Sequence, residues 1–217
     1  MNVADHHSPS DRRLEIVISG SGGQGVILAG KLLAETAAVY GGMQTVMVPC
    51  FGPEVRGGFS AAELIIDSNP IDYPRITRPD VLIALSEEGM TRYAPTLRPK
   101  GLLLVNETLV KDGFSGFKNT FAAPFTSVAI KKLKTQVVTN MIALGALSAV
   151  SRLVSPGDLK LTIEKYVPPK VLRLDRKAVD MGFEMASGSC ISWQACNLSS
   201  PDTSWQRTEQ TAANLLS

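Results

Sequence analysis

LEIVISGSGGQGVILAGKLLAE, residues 14–35, decides the fold. Leu14 to Ser19 is a short apolar run, rich in β-branched residues and ending at glycine, the pattern of a buried strand. The segment Gly20-Ser21-Gly22-Gly23-Gln24-Gly25 follows. Val26 to Tyr40 then carries Leu28, Leu32 and Leu33 among alanines and reads as a helix, stopped by Gly41 and Gly42. Glycines at such a hand-over allow positive φ and let other atoms approach the backbone closely. Free N–H groups at the helix start, with the helix dipole, suit an anion. A phosphate is the natural guest, and Gln24 adds an amide that can donate or accept. The same pattern also serves where glycines only make a tight turn and close helix–sheet packing.

Strand and helix keep alternating beyond this segment. Thr45 to Val48 reads as a second strand ended by Pro49, and Cys50 to Gly58 as a loop. Phe59 to Ile66, Asp80 to Leu85 and Gly101 to Val105 read as further strands, with Asn119 to Ala123 a last short one. Ser86 caps a short helix whose first turn holds Glu87 and Glu88. Thr126 to Lys132 reads as a helix capped by Thr126, and Val137 to Val150 as a buried helix, apolar on nearly every face. Ser155-Pro156-Gly157-Asp158 opens another helix, and Leu172 to Ala186 forms an amphipathic one. The alternation predicts an α/β fold: an open, mostly parallel sheet with helices on both faces, Rossmann-like.

Three segments are expected: a disordered stretch at 1–13, a domain at 14–186, and a polar tail at 187–217 that carries Trp193 and Trp205. The tail is either poorly ordered or docked on a partner through its tryptophans. A formal net charge of +2 argues against nucleic-acid or membrane-surface binding. The longest apolar run, Met141 to Val150, is too short to span a bilayer. The first residues lack the apolar block of a secretory signal. Cys50, Cys190 and Cys196 are odd in number and form no C-x-x-C, so a reducing cytoplasm is expected.

Gly20 to Gly25 satisfies G-x-G-x-x-G, which raises a nicotinamide or flavin dinucleotide. The companion acid at the end of the second strand is missing: that strand runs into Val48-Pro49-Cys50, while Glu35 lies in the helix and Glu54 in the next loop. A Walker A loop is excluded, because the Lys-Ser/Thr ending is absent. The loop GPEVRGG, residues 52–58, belongs at the same carboxyl edge of a doubly wound sheet, where ligands bind. Arg56 there is a planar, permanently charged group suited to phosphate or carboxylate, or else it pairs with Glu54 or faces solvent. Asn140, in an apolar helix, needs hydrogen-bond partners, most often backbone groups. Lys31 reads as solvated, Cys50 as a small buried residue, and His6 and His7 as lying in a mobile terminus. Glu63 in the third strand is set to face solvent or a partner.

GSGGQGVILAGK at 20–31 and GPEVRGG at 52–58 together resemble the two signatures of the γ subunits of 2-oxoacid:ferredoxin oxidoreductases. PDVLIAL at 79–85 and NMIALG at 140–145 are similar to later family segments in order and approximate spacing. The related indolepyruvate oxidoreductase β subunit shares both loops. The resemblance covers roughly Leu14 to Ala186 and implies a subunit of a complex that decarboxylates a 2-oxo acid oxidatively to its acyl-CoA and reduces ferredoxin. It implies α, β and ferredoxin-like δ subunits as partners, with ferredoxin reached indirectly. It also implies thiamine diphosphate, Mg²⁺ and iron–sulfur clusters.

This chain has no Gly-Asp-Gly segment with following paired asparagines, and its three cysteines are scattered. Thiamine and clusters are therefore expected on partner subunits, with no catalytic residue and no metal site here. What remains for this chain is assembly and coenzyme A. The expected cofactor-binding residues are Gly20, Ser21, Gly22, Gly23, Gln24, Gly25, Arg56, Gly57 and Gly58, their backbone amides and the guanidinium holding phosphates. Two rival readings stay open: a non-catalytic scaffold whose loops are subunit contacts, and an independent dinucleotide-dependent oxidoreductase.

Overall fold

The computed structural model describes residues 13–54, 57–189, 191 and 193. Six strands form one sheet: β1 (Leu14–Ser21), β2 (Gln44–Phe51), β3 (Phe59–Asp67), β4 (Val81–Ala84), β5 (Leu102–Asn106) and β6 (Asn119–Ala123), in the order β2-β3-β1-β4-β5-β6. The pairs β1–β4, β4–β5 and β5–β6 are parallel. β3 runs antiparallel to both β1 and β2 and, among the described residues, is the only reversed strand. Its reversal follows from the short loop 52–58, because a parallel return needs a crossover of roughly ten residues or more. The sheet is thus mostly parallel and mixed, as the alternating pattern predicts apart from this one hairpin.

Side chains alternate across the sheet. Ile16, Ile18, Leu64, Ile66, Val81, Ile83, Leu102 and Leu104 point into one core layer. Val17, Ala61, Leu82, Ala84, Leu103 and Val105 point into the other. Burial on both faces explains why these strands read as continuous apolar runs. Each such Ile or Leu contributes about 1.5–3 kcal/mol on leaving water.

The first layer is closed by α1 (Val26–Val39), α3 (Phe125–Leu133), α4 (Thr139–Ser151), α5 (Pro156–Tyr166) and α6 (Pro169–Ser187). The second is closed by α2 (Glu87–Tyr93) and a 3₁₀ turn at Ala94–Thr96. The α4–α6 crossing is close: a Cβ at Gly182 would overlap the Ile142 carbonyl, and one at Gly145 the Val179 carbonyl. Two caps form as the sequence predicts. Ser86 Oγ accepts from the Gly89 amide at 3.2 Å, and Ser155 Oγ from the Asp158 amide at 3.0 Å.

Some local expectations are corrected. Pro49 does not end β2; it lies within the strand, opposite Ala62. β2 is an edge strand with one ladder, where a residue lacking an N–H is tolerated. Thr126 does not cap α3, which starts at Phe125 after Pro124. Its amide donates to Asn106 Oδ1 at 3.2 Å instead, tying the helix start to the end of β5.

Arg13, expected in the disordered stretch, donates to Glu15 Oε1 at 3.1 Å and to the Tyr73 and Arg75 carbonyls. Trp193, expected in the polar tail, is only 8% exposed and belongs to the first core layer, with Ile191 packed against it. An indole gains far more from burial on its own chain than from water. Residues 1–12 and Trp205 lie outside the described residues.

Candidate functional site

β1, β2, β4, β5 and β6 point the same way, so their carboxyl ends share one rim, and β3 begins there. At this rim β1 hands over to α1 through the glycine turn. Gly23 has φ 91° and Gly25 φ 69°, conformations that a side chain strains. Gln24 is folded back into the turn. Its Oε1 accepts from the Ser21 amide at 2.7 Å, and its Nε2 donates to the Leu85 carbonyl at 3.3 Å. A Cβ at Gly20 would overlap Gln24 Oε1, so that glycine makes room for the clamp.

The two signature loops meet. The Gly22 amide donates to the Gly58 carbonyl at 2.6 Å. A Cβ at Gly22 would lie 3.1 Å from the Gly57 nitrogen. Gly57 and Gly58 therefore stand against the glycine turn. Val55 and Arg56 lie outside the described residues.

Of the five amides from Ser21 to Gly25, three are engaged inside the chain: Ser21 with Gln24 Oε1, Gly22 with Gly58, and Gln24 with the Ser21 carbonyl. Those of Gly23 and Gly25 find no acceptor among the described residues. The turn offers fewer donors than its glycine content suggests, since backbone groups at a crowded turn satisfy one another first.

A cavity of about 450 Å³ opens between the loops. Its walls comprise Gly22, Gly23, Gly25 and the first turn of α1 on one side, and Phe51, Glu54, Gly57, Gly58, Phe59 and Ser60 on the other. Phe51 is 69% exposed. The Glu54 carboxylate folds across the hairpin loop, where a Cβ at either Gly52 or Gly58 would overlap it. The sequence places no acid at the end of β2, yet the fold brings Glu54 to the same cavity as the glycine turn. The loop 52–58, expected at this carboxyl edge, carries it there.

Asn140 lies at the start of α4 and is buried. Its Nδ2 donates to the Gly25 carbonyl at 3.0 Å and its Oδ1 accepts from the Met141 amide at 2.9 Å. The backbone partners expected for it are present, and one of them is the N-cap residue of α1. Further along the rim, Asn106 Nδ2 donates to the Leu85 carbonyl and to Thr126 Oγ1. Leu85 thus receives amides from both Gln24 and Asn106, which couples the turn to β5 and α3.

Glu63 accepts from the Tyr93 hydroxyl at 2.8 Å, so it is turned to its own chain. Burial first, and Glu63 second, push the Tyr93 phenol up. Burial, followed by the negative charge of Glu63, also pushes the Cys50 thiol up, which keeps it protonated at neutral pH and poorly nucleophilic. Arg92 lies over the Phe59 ring at 4.2 Å and holds it at the cavity wall. Among the described residues no three His, Cys, Asp or Glu side chains cluster as metal ligands. No helix among them is long and apolar enough to cross a membrane.

The family model for pyruvate ferredoxin/flavodoxin oxidoreductase matches residues 15–185, which include both loops, the rim and the helices that cover it. The chain belongs to this family. Within it, the chain is 37% identical over 176 residues to the 2-oxoglutarate synthase subunit KorC of Methanocaldococcus jannaschii, covering 80% of this chain and 94% of the relative. It is 30% identical to the pyruvate synthase subunit PorC of Methanothermobacter thermautotrophicus, covering 79% and 94%. A solved keto/oxoacid ferredoxin oxidoreductase γ subunit from Geobacter sulfurreducens superposes with TM-score 0.72 at 40% identity, covering 80% of this chain and 96% of that one. A 2-oxoglutarate:ferredoxin oxidoreductase from Magnetococcus marinus, solved with 2-oxoglutarate, coenzyme A and succinyl-CoA bound, superposes with TM-score 0.72 at 25% identity. That match covers 83% of this chain and 32% of that one, so the present fold is one part of the larger polypeptide. The oxidoreductase family membership and the γ-type architecture expected from the two loops are both confirmed.

Proposed function

We propose that this γ-type chain positions coenzyme A at the glycine rim of a multi-subunit 2-oxoacid:ferredoxin oxidoreductase and helps to hold that complex together. The observation that carries the proposal is the Gly22–Gly58 hydrogen bond, which joins the two signature loops around one cavity. In this reading Gly20 to Gly25, Arg56, Gly57 and Gly58 form the binding segment. The amides of Gly23 and Gly25, which find no acceptor among the described residues, and the start of α1 face the diphosphate, with Arg56 as its counter-charge. Within this segment Gly20 and Gln24 shape the turn, Gly20 by leaving room for the Gln24 amide.

Thiamine diphosphate, Mg²⁺ and iron–sulfur clusters belong to α, β and δ partner chains in the cytoplasm, and ferredoxin receives the electrons there. Holding the thiol close to an acyl group on a neighbouring chain raises the transfer rate by proximity. The substrate we assign is 2-oxoglutarate. Four KorC relatives at 35–37% identity, matched over 88–96% of their length, support it, against 32–34% for two ketoisovalerate oxidoreductase subunit VorA relatives matched over 29% of theirs and 30% for the two PorC relatives.

The test is Arg56→Ala in the assembled complex. The KM for coenzyme A should rise about tenfold or more, as expected for loss of a charge-assisted contact, while decarboxylation without coenzyme A stays intact. An unchanged coenzyme A requirement rejects the role. One observation favours a second reading, a purely structural rim: the Ser21, Gly22 and Gln24 amides are already engaged within the chain. That reading predicts that Arg56→Ala lowers complex yield with no change in KM.

A further inference from the structure

At two neighbouring strands the chain leaves the sheet toward opposite faces. β1 hands over to α1 on the first core layer, and β4 hands over to α2 on the second. The ladder between these strands ends at the Leu85 amide, which donates to the Ser19 carbonyl at 2.8 Å. Leu85 is fully buried, so its carbonyl, just past the ladder, needs a partner from elsewhere. Two side-chain amides supply it: Gln24 Nε2 from the glycine turn and Asn106 Nδ2 from the end of β5, each at 3.3 Å. They fill both acceptor positions of one oxygen.

Both carboxamides have a fixed orientation. Gln24 Oε1 accepts from the Ser21 amide at 2.7 Å, and Asn106 Oδ1 accepts from the Thr126 amide at 3.2 Å. A backbone N–H only donates, so each side-chain nitrogen is turned to Leu85. Asn106 is fully buried, and its Nδ2 also donates to Thr126 Oγ1 at 2.9 Å. It is therefore the anchored member of the pair, held by the start of α3. Gln24 is half-buried and is held by the turn that it clamps. Without Asn106 one side of the Leu85 carbonyl is released, that peptide can tilt, and the Gln24 amide follows it away from Ser21.

We infer that Asn106 is a positioning residue: from behind the rim it fixes the Leu85 carbonyl, and through it the Gln24 clamp that shapes the glycine turn. This inference rests on the coenzyme A reading above and adds a residue that acts on the turn from outside the cavity between the loops.

The experiment compares Asn106→Leu, which removes both polar atoms at similar volume, with Thr126→Val, which removes one hydroxyl and leaves the bridge to Leu85. In the assembled complex Asn106→Leu should raise the KM for coenzyme A about fivefold, the factor that one neutral hydrogen bond is worth, while kcat at saturating coenzyme A and decarboxylation without it stay within about twofold. In the full-length chain the Ser21 amide should exchange with solvent about fivefold faster. Thr126→Val should lower Tm yet leave both quantities within about twofold. Should Asn106→Leu prevent assembly, Asn106→Ala is the second variant, with the same two rises expected. Equal rises in KM for Asn106→Leu and Thr126→Val would mark a general loss of packing and overturn the inference. An unchanged KM or an unchanged Ser21 exchange in the Asn106 variants would also overturn it. Arg56→Ala separates the two levels: if it raises the KM while the Asn106 variants do not, the inference falls alone, and if none of them moves it, the coenzyme A reading falls too.

Discussion

Replacing Gly25 by alanine tests how the site is locked to the rest of the fold. Gly25 sits at φ 69°, and the left-handed conformation costs an alanine about 1–2 kcal/mol. The new Cβ would also overlap Asn140 Nδ2, which must swing away and give up its 3.0 Å hydrogen bond to the Gly25 carbonyl, a loss of about 1 kcal/mol. Gly25→Ala should therefore destabilise by roughly 2–3 kcal/mol, lowering Tm by roughly 4–12 °C for a chain of this size.

Asn140→Ala alone should cost only about 1–2 kcal/mol. The Gly25 carbonyl keeps the Ala29 amide at 2.9 Å and the Met141 amide keeps the Val138 carbonyl at 3.1 Å, so nothing is orphaned. In the double variant the overlap is gone and only the φ strain is added. The two changes should then fall short of additivity by about 1 kcal/mol, read from urea unfolding of all four proteins. Additivity within about 0.3 kcal/mol would show that Asn140 does not press on the N-cap of α1, and the reasoning would fail.

Two further outcomes follow from packing and burial. Gly182→Ala drives a Cβ into the Ile142 carbonyl, a backbone atom that cannot rotate away, so α4 and α6 must separate. The loss should be at least about 1–3 kcal/mol, whereas Gly188→Ala, which meets nothing, should change Tm little. Asp175 is buried on α6, and that burial raises its carboxyl above the ordinary range. A raised folded-state pKa means that the folded protein binds the proton more tightly, so this group subtracts stability once pH rises above both values. Asp175→Asn should accordingly stabilise near pH 7–8, with the gain shrinking as pH falls toward about 4, measured by urea midpoints across that range. A gain that grows on acidification would refute the burial argument.

The alternation of apolar runs with helices settled the class of fold, because strands buried on both faces and the glycine turn after β1 leave local marks. The pairing GSGGQG with GPEVRGG marked the family for the same local reason: a backbone that must come close to something else needs glycine in place. Other features depend on where the chain returns after folding, and no local pattern encodes that. β3 is reversed only because the loop 52–58 is too short to cross the sheet. Pro49 is tolerated only because β2 ends up at an edge. Glu63 finds Tyr93, and Asn140 finds Gly25, across separations that sequence does not measure. Above all, the number of amides a glycine turn can offer is set by the company it keeps. Gln24 and Gly58 engage two of them, and both are in place only once sheet and hairpin have closed.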